Sequence, residues 1–301
     1  MPAMATTPSN KPTRVTTRPA KPKEHESREA SKPLTPAAAP APAIVSKPAT
    51  PPAVAALPQK DDRVVVSGGR RVALVIGNSN YDHVPVLPNA ANDARALAQE
   101  LTDEGFQSVT LKLDLKREDL VVALSDFARL ADNADWAVVY YSGHGIEYKG
   151  TNYLIPVDAR LRVDRDIDLE SVDMGKVLSA AESARRLRLL ILDACRNNPF
   201  IDQMKRTIAT RSITRGLART EPDAGTLIVY SAKHGELALD GDGDNSPFAT
   251  ALLRRLRTPN LEVRRLFDLV RDDVLAATNK KQQPYSYGSL SGSEDFYFTT
   301  R

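Results

Sequence analysis

The sequence predicts an α/β fold with a mainly parallel sheet, preceded by an extension with no core of its own. Three observations point there. Short apolar runs rich in Val, Ile and Leu recur along the chain, without the alternation of a half-exposed strand, as expected of strands covered on both faces. Amphipathic stretches with helical spacing separate those runs, which is the pattern of a sheet built from crossover units. The third is the placing of proline: of 21 prolines, 13 fall in residues 1–60, where there is no glycine and no aromatic residue.

The same split divides the charge. Residues 1–60 carry 9 Lys or Arg and 3 Glu, a net +6, so the remainder is slightly acidic at −3 although the whole chain is +3. Residues 1–67 are therefore read as a disordered Pro/Ala/Lys-rich extension, since so little apolar surface cannot offset chain entropy. Residues 68–301 are read as one domain of about 230 residues. A globular nucleic-acid binder would carry its positive charge on the fold, so nucleic acid is not an expected partner. No apolar leader follows Met1 and no run of about 18 apolar residues occurs, so no membrane span and a cytoplasmic location are expected. One cysteine, Cys195, excludes an intramolecular disulfide, and the four histidines show no ligand spacing for a metal.

The elements follow in order. RVALVIGN (71–78) is a buried strand. Residues 89–105 form a helix with Ala94, Leu97, Ala98 and Leu101 on one face, Asn89 as N-cap and Gly105 as stop. Residues 106–115 alternate as a strand, and 117–131 form a helix with Leu120, Leu124, Phe127 and Leu130 on one side. ADWAVVYYSGHG (134–145) is a buried strand ending in a glycine-containing turn, and NYLIPVDA (152–159) a short strand stopped by Pro156. A helix over 174–185 leads into the most apolar strand, RLRLLILDAC (186–195). TLIVYSA (226–232) is a further strand, and 247–257 and 261–278 are amphipathic helices.

In open parallel sheets functional residues gather beyond the carboxyl ends of the strands. Two strands here end in Ser142-Gly143-His144-Gly145 and Asp193-Ala194-Cys195. α/β topology alone therefore delivers a histidine and the sole cysteine to one edge. A thiol is mostly protonated at neutral pH, and an adjacent imidazole can take its proton and return it to a leaving amine. Alone, Cys195 would read as a small buried hydrophobe and His144 as a turn residue. Paired at matching strand ends, they read as a catalytic dyad. The flanking glycines would let a backbone N–H face a developing oxyanion. A nucleotide-binding reading fails because no Gly-rich phosphate loop follows Gly77-Asn78.

RVALVIGNSNY, NAANDARAL, YYSGHG, LIPVD, LILDACRNNPF and NSPFATALL, in that order from about Arg71 onward, resemble the caspase-like cysteine peptidases, in their bacterial metacaspase (orthocaspase) branch. The resemblance implies the caspase–hemoglobinase fold, with about six mostly parallel strands flanked by helices. It implies a cysteine endopeptidase with His144 as general base and acid, Cys195 as nucleophile, and the N–H groups of Gly145 and Cys195 as oxyanion donors. Asp93, Ser142 and Asp193 resemble the acidic first-subsite pocket of metacaspases. Two carboxylates would attract a basic side chain and repel an acidic one, so the expected substrates are proteins or peptides cleaved after Arg or Lys. Metacaspases often carry Cys where Ala90 stands. Asp93 could instead compensate a helix N-terminus, and Asp193 could pair with Arg196.

The polar, basic segment 202–224 reads as a long exposed loop, and Lys205, Arg206, Arg211, Arg215 and Arg219 are candidate self-cleavage sites. Asp240, Asp242 and Asp244 begin like a calcium loop, but its twelfth position is Ala251 rather than Glu. In the acidic cluster by which some metacaspases bind calcium, Asp173 is matched and its neighbour is Met174. No cofactor and no metal is expected. The resemblance suggests a monomer. The alternative is a catalytically silent caspase-like interaction module.

Overall fold

Strands covered by helices on both faces must be apolar over most of their length, and four here have such a central run. The computed structural model describes residues 64–66, 68–195, 204, 213–214, 223–233 and 238–300. In chain order the elements are β1 (Val64–Val66), β2 (Arg71–Gly77), α1 (Pro88–Asp103), β3 (Ser108–Leu113), α2 (Arg117–Ala131), β4 (Trp136–Tyr148) and β5 (Thr151–Leu154). There follow α3 (Asp166–Glu170), β6 (Val172–Asp173), α4 (Met174–Ala181), β7 (Leu187–Cys195), β8 (Ile213–Thr214), β9 (Thr226–Tyr230), α5 (Pro247–Leu256), α6 (Val263–Ala277), β10 (Tyr285–Ser289) and β11 (Glu294–Phe296).

The central path of the main sheet runs β10-β9-β7-β4-β2-β3. Five of its strands are parallel and β10 is antiparallel at one edge, the mostly parallel six-stranded arrangement expected from the sequence. Period-two alternation sends successive side chains of each strand into different cores. Ala73, Val75, Val138, Leu189 and Val229 pack with α1, α5 and α6 on one face. Val72, Leu74, Val139, Leu190 and Ile228 pack with α2 and α4 on the other. Each fully buried Val, Leu or Ile contributes about 1.5–3 kcal/mol, so both layers are held mainly by apolar burial. No helix among the described residues is long and apolar enough to cross a membrane.

α1 sits unusually close to the end of β2. A Cβ on Gly77 would lie 2.6 Å from the Ala90 carbonyl oxygen and 2.7 Å from the Ala94 Cβ, so only glycine lets the helix approach this near. The helix starts at Pro88 rather than behind Asn89, because proline suits the first helical position and Leu87 is the N-cap. The expected side-chain cap is replaced from the preceding loop: the Ser79 hydroxyl accepts the Ala91 N–H at 2.9 Å.

Val64–Val66, at the end of the segment read as extension, pairs in parallel with β11, so strand pairing begins before residue 68. Residues 1–63 and Ser67 lie outside the described residues, as do Lys205, Arg206, Arg211, Arg215 and Arg219. The described parts of 202–224 depart from a plain exposed loop. Met204 is buried in a third cluster with Tyr81, Ile146 and Ile155, and β8 pairs antiparallel with Glu147–Tyr148 of β4.

Candidate active site

Register is what joins the two chemically notable residues. β4 and β7 pair in parallel from Trp136↔Leu187 to His144↔Cys195, so the histidine and the cysteine are Cα partners on adjacent strands. Two residues earlier Ser142 partners Asp193 on one side and Gly77 of β2 on the other. The histidine does not sit in a turn, as the flanking glycines suggested. β4 continues as a strand to Tyr148, leaving the parallel sheet after His144 to pair antiparallel with β5 and β8. The glycine at 143 serves close approach: a Cβ there would lie 2.7 Å from the Tyr141 hydroxyl and 2.8 Å from that of Tyr81. Gly145 is the first residue of β4 to pair with β5, opposite Leu154.

His144 is buried, and its ring lies 4.5 Å from that of Tyr81, centroid to centroid, tilted by 50°. Neither imidazole nitrogen has a hydrogen-bond partner of acceptable geometry among the described residues. Burial pushes the imidazole pKa down to about 4, and the Pro85 carbonyl opposes that shift without meeting hydrogen-bond geometry. At neutral pH the ring is therefore uncharged, the form that can accept a proton.

The two acids converge on one serine. Asp93 projects from α1 and is 1% exposed; its Oδ1 accepts the Ser246 N–H at 3.0 Å and the Asn245 side-chain amide at 2.8 Å. Asp193 is 5% exposed, and its Oδ2 accepts the Ser246 hydroxyl at 2.6 Å. The same hydroxyl oxygen accepts the Ala249 N–H and caps α5. The Asp93 Oδ2 is buried without a partner among the described residues. Burial first, and the charge of Asp193 second, raise Asp93 to about 7. Burial likewise raises Asp193, opposed by the hydroxyls of Ser246 and Ser231. Two carboxyls this close in a desolvated place resist simultaneous ionisation, and a cation placed between them would reverse that. Asp93 lies beyond the first turn of α1, so it does not compensate the helix terminus.

A caspase-domain family model matches residues 70–294, nearly all of the described fold. The chain belongs to the caspase-domain family. It is also similar to mucosa-associated lymphoid tissue lymphoma translocation protein 1 of Homo sapiens, at 32% identity over 144 residues, 46% of this chain and 17% of that protein. The homolog from Mus musculus is 31% identical over 144 residues, again 46% and 17% of the two chains. The chain thus matches only about one-sixth of each relative's length.

Within this caspase domain, the expected residues fall into two groups. His144 and Cys195 are joined by strand register, while Asp93 and Asp193 are joined through Ser246, with Ser142 opposite Asp193 in the sheet. Arg196 lies outside the described residues. Asn245 and Ser246 were not singled out from the sequence, because their contacts with Asp93 span 152 and 153 residues. The Ser246-Pro247 pair, a serine cap before a first-turn proline, was the available signal. Asn89, released from capping, donates its amide to the Asp240 carbonyl at 2.7 Å and ties the 240–246 loop to α1. Asp173, considered for calcium, caps α4 by accepting the Lys176 N–H. No group of three metal-ligating side chains occurs among the described residues.

Proposed function

We propose that this caspase-domain protein is a cysteine endopeptidase that cleaves after Arg or Lys. The observation that carries the reading is the register pairing of His144 with Cys195 in a caspase domain. His144 takes the proton of the Cys195 thiol, and the thiolate attacks the scissile carbonyl carbon. The N–H groups of Gly145 and Cys195 receive the oxyanion. His144 then protonates the departing amine, leaving a thioester. Water, deprotonated by the same imidazole, hydrolyses it and frees the thiol. Asp93 and Asp193 hold the substrate's cationic side chain, with Ser142 at the pocket wall. Their buried, like-charged arrangement supports basic rather than acidic specificity. Lys205, Arg206, Arg211, Arg215 and Arg219 would then be self-processing sites. The motifs quoted above support the metacaspase branch and a monomer, and a cytoplasmic location is the accompanying expectation.

Fluorogenic peptides ending in Arg, Lys or Asp, assayed beside Cys195→Ala with and without calcium, test this. Thiol-dependent turnover of the Arg and Lys peptides is expected. No turnover of any peptide would leave a silent interaction module, and turnover of the Asp peptide alone would overturn the pocket assignment.

A further inference from the structure

Tyr81 belongs to the loop between β2 and α1, outside every strand and helix, yet its surroundings are rigid. The Asp114 carboxylate accepts the N–H groups of Ser79 and Asn80 at 2.8 and 2.9 Å, and Asp82 donates its N–H to the Val157 carbonyl at 2.9 Å. The loop is therefore pinned on both sides of the tyrosine. Tyr81 is 6% exposed and directs its hydroxyl at the backbone of His144, whose N–H it accepts at 2.8 Å. The Tyr141 hydroxyl donates to the His144 carbonyl at 2.8 Å, and the Ile155 N–H donates to the same oxygen at 3.1 Å. Both backbone polar groups of the residue are thus held, the N–H from the β2–α1 loop and the carbonyl by Tyr141 of the same strand and by Ile155, at the point where β4 leaves the parallel sheet. The Tyr81 ring also lies against the imidazole. Gly143 is the space both hydroxyls require.

We infer that Tyr81 is a positioning residue for His144, fixing its backbone through the hydroxyl and its imidazole through the ring while keeping water from that face. The inference rests on the proposed dyad and goes beyond it, since Tyr81 touches neither substrate nor thiol in that mechanism. Positioning groups act on the chemical step more than on substrate binding.

Two variants separate the contributions. Tyr81→Phe keeps the ring and deletes the hydroxyl; kcat for an Arg peptide should fall about tenfold with KM within about twofold. Tyr81→Leu deletes the ring as well; kcat should fall further, and the acid limb of kcat/KM should move to higher pH as water reaches the imidazole. The NMR titration of the His144 imidazole, assigned with His144→Gln, reads the same effect without turnover: the leucine variant should titrate at higher pH than wild type. Wild-type kcat and an unmoved His144 titration in both variants would overturn the inference. An inactive wild type would defeat the peptidase reading instead, and the titration would still decide whether Tyr81 controls His144.

Discussion

Replacing Asp93 by Asn should stabilise the protein at pH 8 while weakening its hold on a basic substrate. The side chain stays isosteric, so its oxygen can still accept from Asn245 and from the Ser246 N–H. What disappears is a carboxylate whose folded-state pKa, about 7, lies above its unfolded value near 3.8. The folded state holds that proton more tightly than the unfolded chain. The group's favourable contribution is therefore complete below about pH 4 and is lost as pH rises through about 7. At ~1.4 kcal/mol for each tenfold change in proton affinity, the rise corresponds to at most about 4 kcal/mol. The new amide hydrogens take the place of the Asp93 Oδ2, which is buried without a partner among the described residues, and a donor left unpaired there costs about 1–3 kcal/mol. A net gain of at most about 1–3 kcal/mol at pH 8 is the expected difference. Urea unfolding of both proteins at pH 5 and pH 8 measures it. The difference between variant and wild type is the quantity to follow, because His144, with its depressed pKa, contributes the opposite slope between about pH 4 and 6.5 to both proteins. In the same variant, losing a charge-assisted contact of about 1.5–3 kcal/mol should lower kcat/KM for an Arg peptide by roughly 10–100-fold. A variant no more stable than wild type at pH 8 would refute the view that burial penalises this charge.

Three further outcomes follow from the same geometry. Gly143→Ala places a methyl 2.7–2.8 Å from the Tyr141 and Tyr81 hydroxyls and should cost about 1–3 kcal/mol of stability, with kcat reduced more than KM is raised; urea midpoints and steady-state kinetics check both. Ser246→Ala removes the cap of α5 and the donor to buried Asp193, so it should destabilise by about 1–3 kcal/mol, and by more at pH 8 than at pH 5 as Asp193 ionises without its donor. The KM for an Arg peptide should fall between pH 6 and pH 8, as the acid pair becomes ionised; a KM flat over that range would count against Asp93 and Asp193 as the binding pair.

The sequence exposed those features whose physics is local. β2, β4, β7 and β9 are covered on both faces over most of their length and therefore read as apolar runs, while α2 shows one clean stripe and was bounded at 117–131. β10, YSYGS, escaped notice because an edge strand with partly exposed side chains and a glycine carries neither pattern. β1, β6, β8 and β11 have two or three residues each, too few for any period. The Gly-His-Gly sequence suggested a turn, and what kept the strand going was pairing with β5, a tertiary fact. The pairing of His144 with Cys195 was legible because parallel strands share an edge. Tyr81 and Ser246 were not, because each acts on a residue far away in the chain through contacts that leave no local pattern.

The three buried titratable groups of the site share one electrostatic logic. Burial drives each toward its neutral form: the carboxyls of Asp93 and Asp193 upward, the imidazole of His144 downward. Between about pH 4 and the onset of carboxyl ionisation, the three positions can be free of net charge together, which suits their burial. At neutral pH His144 remains ready to accept a proton while the acid pair is strained by its own ionisation. On the proposed reading, a cationic side chain would offset that strain on entering, so part of the cost of burying two acids would be recovered only in the complex. On the same reading, the arrangement would discriminate by charge without a preformed ion pair. A neutral or acidic side chain would leave the pair uncompensated. Ser246 is central to that arrangement, because one residue donates its N–H to Asp93 and its hydroxyl to Asp193 while starting the helix that covers them.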